Sequence, residues 1–407
     1  MGRLFGTDGV RGIANNELDP NLAYNLGRAG AYILTQENQH KPRLAIGMDT
    51  RISGGMLEAA LVAGICSMGG EAAVLGVVPT PALPYLTRHY GFDAGIVISA
   101  SHNSFEYNGI KFFDNKGYKL SDDIEDKIQE TIDKDLLNLP RPIGEGIGKK
   151  VEIDNAVHTY LGFLKKTVDV DLRGMKIGID CANGSSFIAA PSVLADLGAQ
   201  IVVINNKPDG KNINQNCGST HPEGLQKLVI DKGCHVGVAF DGDADRLIAV
   251  DNKGEIVNGD HIMAICARHM KANGKLNKDT VVSTIMSNMG LEVALRREQC
   301  SMIRTKVGDR YVLEEMINGG YNFGGEQSGH IIFLDHNTTG DGLLTALQLL
   351  SVMKKTGSKL SELRAIVPEY PQVLINAKIK NGNKNKYLED SDIKQAIEDI
   401  KKEINNR

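Results

Sequence analysis

The sequence predicts an α/β protein built from three successive domains with mixed or parallel sheets covered by helices. The chain has 407 residues, more than a single hydrophobic core usually serves. A loose repeat is visible, because apolar, β-prone runs at 44–49, 175–180 and 281–286 are each followed by a polar turn and helical spacing. The first two continue into second apolar runs at 72–78 and 199–204, which is the pattern of a βαβ unit with parallel strands.

Breaks in the pattern predict the domain boundaries. A linker rich in proline and glycine spans 139–150, a turn lies near 251–260, and prolines interrupt 367–372. We therefore expect domains over 1–148, 149–253 and 254–367, and an incomplete unit over 368–407. That last unit contains one strand-like run, 373–380, and one charged helix, 392–406, which cannot bury a core of their own.

Composition narrows the class of partner. A formal net charge of −4 does not favour binding to nucleic acid or to an anionic membrane. We therefore expect neither partner and predict a small-molecule substrate. The six cysteines include no CxxC pair, which argues against a zinc site or a disulfide framework and for a reducing cytosol. The N-terminus lacks the apolar segment of a secretory signal, and we expect a cytoplasmic protein.

The strongest local signal is VGVAFDGDADR at 236–246, where an apolar strand runs into Asp241, Asp243 and Asp245. Three carboxylates within five residues repel one another unless a cation lies among them. Oxygen ligands without His or Cys favour Mg²⁺ or Mn²⁺ over zinc, and Asn252 stands where an EF-hand needs glutamate. A solvated acidic turn is the alternative, but the end of a strand in an α/β sheet favours a binding site.

The same acidic stretch has a second interpretation as an aspartyl nucleophile. Phosphatases of the haloacid dehalogenase type also place an aspartate pair after an apolar strand and use Mg²⁺. The two interpretations differ in which residue carries the phosphoryl group, and the residues alone leave that open.

A candidate hydroxyl nucleophile lies in SASHNSFEYNGIK at 99–111, a few residues after the apolar run GIVI. Ser101 should therefore also lie at the end of a strand. A serine hydroxyl needs a base or a metal to become a good nucleophile, and His102 and Lys111 are close by in sequence. Asn and Ser are also common turn formers, so this stretch taken alone favours a simple turn.

Two further polar clusters could serve a sugar phosphate. FGGEQSGH at 323–330 presents Glu326, Ser328 and His330, and alternating carboxylate and hydroxyl groups suit hydrogen bonds to sugar hydroxyls. FGTDGVRG at 5–12 presents Arg11, which could hold a phosphoryl group with two hydrogen bonds. The structural alternatives are a glycine-rich loop and an N-terminal arm held by a turn.

Taken together and in this order, these four stretches resemble the signature loops of the α-D-phosphohexomutase superfamily. The likeness covers essentially the whole chain and includes GSTHPE at 218–223, KVGDRYV at 306–312 and NTTGDGLL at 337–344. It implies three α/β domains followed by a smaller α+β fourth domain, of which this chain would carry only the start. The late phosphate-binding loop of that domain does not occur before Arg407, so we expect a truncated fourth domain and leave full activity open.

The resemblance also implies roles for individual residues. Ser101 corresponds to a phosphoserine whose oxygen binds Mg²⁺ together with the three aspartates, so Mg²⁺ and an activating phosphorylation of Ser101 are the expected cofactors. Lys111 is the implied proton acceptor. The remaining implied residues are cations near the phosphoryl group (Arg11, Lys111, Arg246), sugar-binding residues (Glu326, Ser328) and further positions of the active cleft (His102, Asp309, Arg310, His330).

The implied reaction is the transfer of phosphate between O6 and O1 of a hexose phosphate through a 1,6-bisphosphate. The likeness is closest to bacterial members that act on glucosamine phosphates for UDP-N-acetylglucosamine and cell-wall precursors. Glucose or mannose phosphates, an aspartyl phosphatase, and a form that binds sugar phosphate without turnover are the alternatives. A homodimer is compatible with the resemblance. Two departures are Ser104, where proline is usual, and Ala244, where glycine or serine is common. We expect Ser104 to loosen the serine loop without removing a functional group, and Ala244 to be a mild change.

Overall fold

The computed structural model describes residues 3–6, 8–35, 40–375 and 386–405. It divides the chain into two compact units, Met1–Glu369 and Tyr370–Arg407. The first unit holds three sheets, each covered by helices, and the extensive buried core lies between sheets and helices.

The first sheet has six strands. Its elements are β1 (Val10–Ile13), α1 (Pro20–Thr35), β2 (Arg43–Met48), α2 (Gly54–Ser67), β3 (Glu71–Val77), α3 (Ala82–Tyr90), β4 (Ala94–Ile98), β5 (Tyr107–Asp114), α4 (Asp122–Glu130) and β6 (Lys149–Glu152). The strand order is β1-β5-β4-β2-β3-β6, in which β2, β3, β4 and β6 are parallel and β5 runs antiparallel to β4 and β1. Alternating side chains of β2 face opposite sides, so Leu44 and Ile46 pack with α1 and α2.

The second sheet has five strands and begins after α5 (Ala156–Lys166). Its further elements are β7 (Lys176–Asp180), α6 (Ser186–Asp196), β8 (Gln200–Ile204), α7 (Glu223–Lys232), β9 (Val236–Phe240), β10 (Leu247–Asp251) and β11 (Ile256–Val257). In the order β11-β10-β9-β7-β8, the three strands β9, β7 and β8 are parallel. Because β9 is buried along its whole length, its apolar run carries no polar alternation.

The third sheet has four strands in the order β13-β12-β14-β15. Its elements are α8 (Gly259–Ala272), β12 (Thr280–Thr284), α9 (Met289–Arg297), β13 (Ser301–Thr305), α10 (Asp309–Gly319), β14 (Phe323–Gly325), β15 (Ile331–Phe333), α11 (Gly342–Thr356) and α12 (Leu360–Arg364). The strand β12 is parallel to β13 and β14, whereas β14 and β15 form an antiparallel pair.

The predicted fold class is confirmed. Each of the three repeat units is a strand, a helix and a parallel strand: β2–α2–β3, β7–α6–β8 and β12–α9–β13. Two short strands extend past the predicted boundaries, because β6 pairs with β3 of the first sheet and β11 pairs with β10 of the second. The boundaries at 148 and 253 themselves stay predictions.

The second unit contains helix α13 (Ser391–Asn405), which agrees with the predicted charged helix. Of the predicted strand at 373–380, residues 373–375 form no strand, and 376–380 lie outside the described residues. Across both units, no helix within the described ranges has the length and apolar character needed to cross a membrane.

Candidate active site

The ends of two strands bring Ser101 and the acidic triplet together. Ser101 lies three residues after β4, and Asp241 directly follows β9. The Ser101 hydroxyl donates a hydrogen bond to Asp241 Oδ2 at 2.8 Å, across 140 positions of sequence. A single cation could therefore contact both groups, which the sequence-based mechanism requires.

The three aspartates form a buried cluster suited to a divalent cation. Asp241 and Asp243 are 1% exposed and Asp245 is 6% exposed, and one oxygen of each lies within 4.8 Å of the others. Asp243 Oδ1 and Asp245 Oδ1 have no hydrogen-bond partner within the described part of the chain. Buried carboxylate oxygens without partners are costly, and an all-oxygen set fits Mg²⁺, so these residues fit the metal that the sequence predicted.

The pKa values of two carboxyls in this cluster are shifted in opposite directions. Burial, and then the charges of Asp245 and Asp243, raise the pKa of Asp241 well above its usual range. Burial also acts to raise the pKa of Asp245, but the positive charges of His330, Lys111 and Arg246 together outweigh burial and lower that pKa. Such a divergence between neighbouring carboxyls is typical of functional sites.

Lys111 lies fully buried against the cluster. Its Nζ is 3.2 Å from Asp243 Oδ2 and 2.8 Å from Asp8 Oδ2. Asp8 also binds Arg11 and, through Oδ1 at 2.6 Å, Lys119. Burial would lower the pKa of Lys111, but Asp243 and Asp8 raise it, so the side chain is an ammonium ion here. This charge state suits the neutralisation of a phosphoryl group better than the acceptance of a proton.

Arg246 and His330 line the same cluster. The Arg246 backbone N–H donates to Asp241 Oδ1 at 3.2 Å, and His330 Nδ1 lies 3.4 Å from Asp245 Oδ2. Burial disfavours charge on both side chains, yet Asp245 raises the pKa of Arg246 and raises that of His330 to about 9. The Gly340 N–H lies 3.1 Å from His330 Nε2, a contact that suits the neutral ring, whereas the nearby charges of Asp245 and Asp309 favour the protonated ring.

The predicted sugar-binding loop connects β14 to β15. Glu326 Oε1 accepts a hydrogen bond from the Gly308 N–H at 3.2 Å, and its charge acts on both Arg246 and His330. Ser328 is exposed in the same loop. The predicted candidates Glu326 and Ser328 therefore lie on one loop, of which Glu326 adjoins the acidic cluster.

The other predicted candidates are divided between this centre and its border. His102 Nδ1 is 3.4 Å from Ser101 Oγ, and burial, then Arg246 and Arg11, lower the pKa of that imidazole. Asp309 Oδ2 binds Lys119 at 2.5 Å and lies 3.5 Å from His330 Nε2. In contrast, Arg310 reaches away to Asp122 at 2.6 Å and to Glu314 at 3.1 Å.

Sequence reasoning missed several residues that hold this centre. Thr80 donates to Asp243 Oδ2 at 2.9 Å, and the buried pair Asp49 and Arg51 lies beneath the serine loop. Asp49 directly follows β2, so its place at the carboxyl edge of a predicted strand was a usable signal. Lys119 carries no comparable signal, because it follows the turn after β5 and forms only an isolated β-bridge to Phe113.

Three helix-covered sheets, a serine hydroxyl and a buried cluster of three carboxylates are the features of a class of metal-dependent phosphoryl-transfer enzymes. Three family models match the chain: the phosphoglucomutase/phosphomannomutase alpha/beta/alpha domains I, II and III match residues 2–138, 158–254 and 258–370, respectively. The chain belongs to the phosphoglucomutase/phosphomannomutase family and is an isomerase of the mutase type.

Individual proteins narrow the likeness further. The phosphoglucosamine mutase of Clostridium tetani is 61% identical over 407 residues, which is 100% of this chain and 91% of the relative. The phosphoglucosamine mutase of Clostridium novyi is 59% identical, covering 100% of this chain and 90% of that one. A crystal structure of a phosphoglucomutase/phosphomannomutase family protein from Burkholderia thailandensis superposes with a TM-score of 0.78 at 25% identity, covering 90% of this chain and 80% of that one.

Proposed function

We propose that this protein is a phosphoglucosamine mutase, which interconverts glucosamine 6-phosphate and glucosamine 1-phosphate through a phosphoserine enzyme. The observation that carries the proposal is the hydrogen bond of 2.8 Å from the Ser101 hydroxyl to a carboxylate of the acidic triplet. The names and the high identity of the clostridial relatives support the choice of sugar. The product would feed UDP-N-acetylglucosamine and cell-wall precursors.

The metal in this proposal is Mg²⁺, held by Asp241, Asp243, Asp245 and an oxygen of phosphorylated Ser101. When bound, it supplies positive charge that stabilises the phosphoryl group during transfer. Two carboxylate oxygens, Asp243 Oδ1 and Asp245 Oδ1, have no hydrogen-bond partner among the described residues, which supports this assignment.

The reaction would proceed in two phosphoryl transfers, each of which breaks one bond to phosphorus, forms another and moves one proton. In the first, the bond between phosphorus and Ser101 Oγ breaks, a bond forms to O1 of glucosamine 6-phosphate, and the O1 proton ends on Ser101 Oγ. The 1,6-bisphosphate then turns over in the cleft. In the second transfer the bond between phosphorus and O6 breaks, the bond to Ser101 Oγ forms again, the Ser101 hydroxyl proton passes to O6, and glucosamine 1-phosphate leaves.

The chain's own side chains would position the groups and balance their charges. Arg11, Lys111 and Arg246 supply cations around the phosphoryl group, and their proximity to Asp8 and the triplet supports that role. The neutral ring of His102 is 3.4 Å from Ser101 Oγ and can carry the transferred proton. The remaining members of the proposed site hold the sugar or border the cleft: Glu326, Ser328, Asp309, Arg310 and His330.

Replacing the nucleophile tests the proposal directly. Ser101→Ala should abolish mutase turnover, and intact mass spectrometry should find about one phosphate on the wild type, mapped to Ser101, and none on the variant. Ser104→Ala is the matched control, since its side chain is exposed in the same loop, and it should keep its phosphate on Ser101. If Ser101→Ala kept mutase activity while Asp241→Asn lost it, the aspartyl-nucleophile interpretation would be correct.

Removal of the metal tests the acidic triplet. A ligand present at 100 times its Kd stabilises the folded state by about 2.7 kcal/mol, so Mg²⁺ should raise the Tm of the wild type, and chelation should reverse the rise. Asp243→Asn should lose both the Tm rise and most of the turnover, whereas Asp196→Asn, in an exposed ion pair, should retain both. An equal Tm rise in Asp243→Asn would contradict a metal site at the triplet.

Comparison of substrates separates the remaining alternatives. Measured kcat/KM should be highest for glucosamine 6-phosphate, and a preference for glucose or mannose phosphate would move the assignment within the family. Binding of glucosamine 6-phosphate without turnover would indicate the non-cycling form. We also place the reaction in a reducing cytosol, which the six free cysteines support.

A further inference from the structure

A buried arginine lies beneath the loop that carries Ser101. The Arg51 side chain is 0% exposed, and its Nε donates to Asp49 Oδ2 at 2.9 Å. Its Nη2 donates to the carbonyl oxygens of Ser101 at 2.9 Å and Asn103 at 2.8 Å. Its Nη1 donates to two more carbonyls, those of Ser104 and, at 3.1 Å, Tyr107. One guanidinium thus binds four carbonyl oxygens between positions 101 and 107.

A second chain of hydrogen bonds leads from the same pair to the nucleophile. Ser99 Oγ donates to Asp49 Oδ2 at 2.6 Å and accepts a hydrogen bond from the Ser101 N–H at 2.9 Å. Asn214, from the second domain, donates to the same carbonyl oxygens of Ser101 and Asn103 at 2.8 and 3.0 Å. Both the amide and the carbonyl of Ser101 are therefore held by buried partners.

The backbone of Ser101 needs such partners. Its φ is +52°, in the left-handed region that residues with a side chain rarely occupy. Conformations of this kind persist where the surroundings determine them, and they concentrate at functional sites. The loop keeps the Ser101 hydroxyl at 2.8 Å from Asp241 while its carbonyls face Arg51.

We propose that Arg51, held by Asp49, is a positioning residue for phosphoryl transfer: it fixes the Ser101 backbone so that the hydroxyl faces the acidic triplet. The inference deepens the proposed function and rests on it. A lysine at position 51 would keep the charge but lose the planar fork of five donors, so it could not bind all four carbonyls and Asp49 together. Because Arg51 does not contact the reacting atoms, its loss should slow the transfer without weakening sugar binding.

The test compares Arg51→Lys with Arg28→Lys. Arg28 is a matched control, because it is 3% exposed in α1 and its Nη1 donates to the Leu136 carbonyl at 3.0 Å. We expect Arg51→Lys to lower kcat by about 10- to 100-fold, with KM for glucosamine 6-phosphate little changed, as for a misplaced reacting group. Hydrogen exchange of residues 99–107 should be faster in Arg51→Lys than in the wild type or Arg28→Lys.

Each outcome decides the question. A folded Arg51→Lys with the kcat and loop exchange of Arg28→Lys overturns the proposal, and so does a rise in KM at unchanged kcat. If Arg51→Lys does not fold, Ser99→Ala replaces it: lower kcat with unchanged KM supports the proposal, and unchanged kcat overturns it. A wild type without mutase activity would refute the proposed function and not this inference. The hydrogen-exchange rates of residues 99–107 in the same variants would then still decide whether Arg51 holds the loop.

Discussion

Gly242 allows the serine loop and the acidic loop to pack in direct contact. A Cβ at this position would lie 2.6 Å from the Ser101 carbonyl oxygen and 2.8 Å from Asn214 Nδ2. Neither atom can move freely, because Arg51 and Asn214 already hold that carbonyl. The distance between Ser101 and the triplet therefore depends on the absence of one methyl group.

Gly242→Ala should consequently push the two loops apart and lower kcat by about 100-fold or more, since misplacement by about 1 Å costs that much. Gly162→Ala is the control: this glycine lies within α5 with nothing within 4 Å of its added Cβ, so the change should leave kcat intact and stabilise the helix by about 0.5–1 kcal/mol. Steady-state kinetics and urea unfolding of both variants check this, and an active Gly242→Ala would contradict it.

Individual residues differ in how well the sequence predicts them. The clustering of the three aspartates was predictable, because carboxylates spaced by two residues at the end of a buried strand lie close together. Arg51 was not, since its role depends on four carbonyls that arrive from another strand's end. The positive φ of Ala244, +60°, was missed for a similar reason: a substitution that looks mild in sequence lies in a backbone region where glycine is favoured.

Helix α4 shows how burial changes the titration of an element that looks like a solvated surface. Its sequence, DDIEDKIQE, is strongly charged, yet Glu125 is only 9% exposed. Burial raises the pKa of Glu125 to about 7, while Arg3, 3.4 Å away, lowers it less. The chain continues from this helix into a π-helical turn at Thr131–Asp135, which the sequence analysis did not predict.

Glu125→Gln should stabilise the protein at alkaline pH. Since the folded pKa exceeds the unfolded one, folding favours the protonated carboxyl; the contribution is most favourable below pH 4.5 and is lost as pH rises through 7. The variant should gain roughly 1–3 kcal/mol at pH 8 and little at pH 4. Urea unfolding at both values measures this, with Glu130→Gln at an exposed position of the same helix expected to change less than about 0.5 kcal/mol. If Glu125→Gln raised the free energy of unfolding equally at both pH values, the effect would not come from the buried charge of Glu125.

The loop of residues 337–342 joins all three domains of the first unit. Asn337 Nδ2 donates to the Pro81 carbonyl at 3.0 Å, and Thr338 Oγ1 donates to the Gly117 carbonyl, after β5, at 2.5 Å. Tyr160, on α5 of the second domain, donates to Asp341 Oδ2 at 2.7 Å. The Gly340 N–H of this segment lies 3.1 Å from His330 Nε2. The Gly342 N–H donates to the Ala244 carbonyl in the acidic loop at 3.0 Å. The sequence showed this motif by resemblance, but only the packing of the domains shows what it connects.

Tyr160→Phe should weaken this junction. Burial already raises the pKa of Asp341 to about 6, and loss of the tyrosine hydroxyl would remove one of the hydrogen bonds that oppose that rise. We expect a loss of about 1–3 kcal/mol in the free energy of unfolding, measured by urea unfolding at pH 7.5. Tyr24→Phe, on α1 and distant from the junction, should have a smaller effect; an equal loss in both variants would argue against a junction at Asp341.

The linker at 139–150 lies between the nucleophile and the proposed metal ligands in sequence, since Ser101 precedes it and the acidic triplet follows it. Proteolytic nicking there would leave the nucleophile and the metal pocket on different polypeptides. Since β6 pairs with β3 across the nick, mutase activity would depend on the two fragments staying associated, and neither fragment expressed alone would carry a complete site.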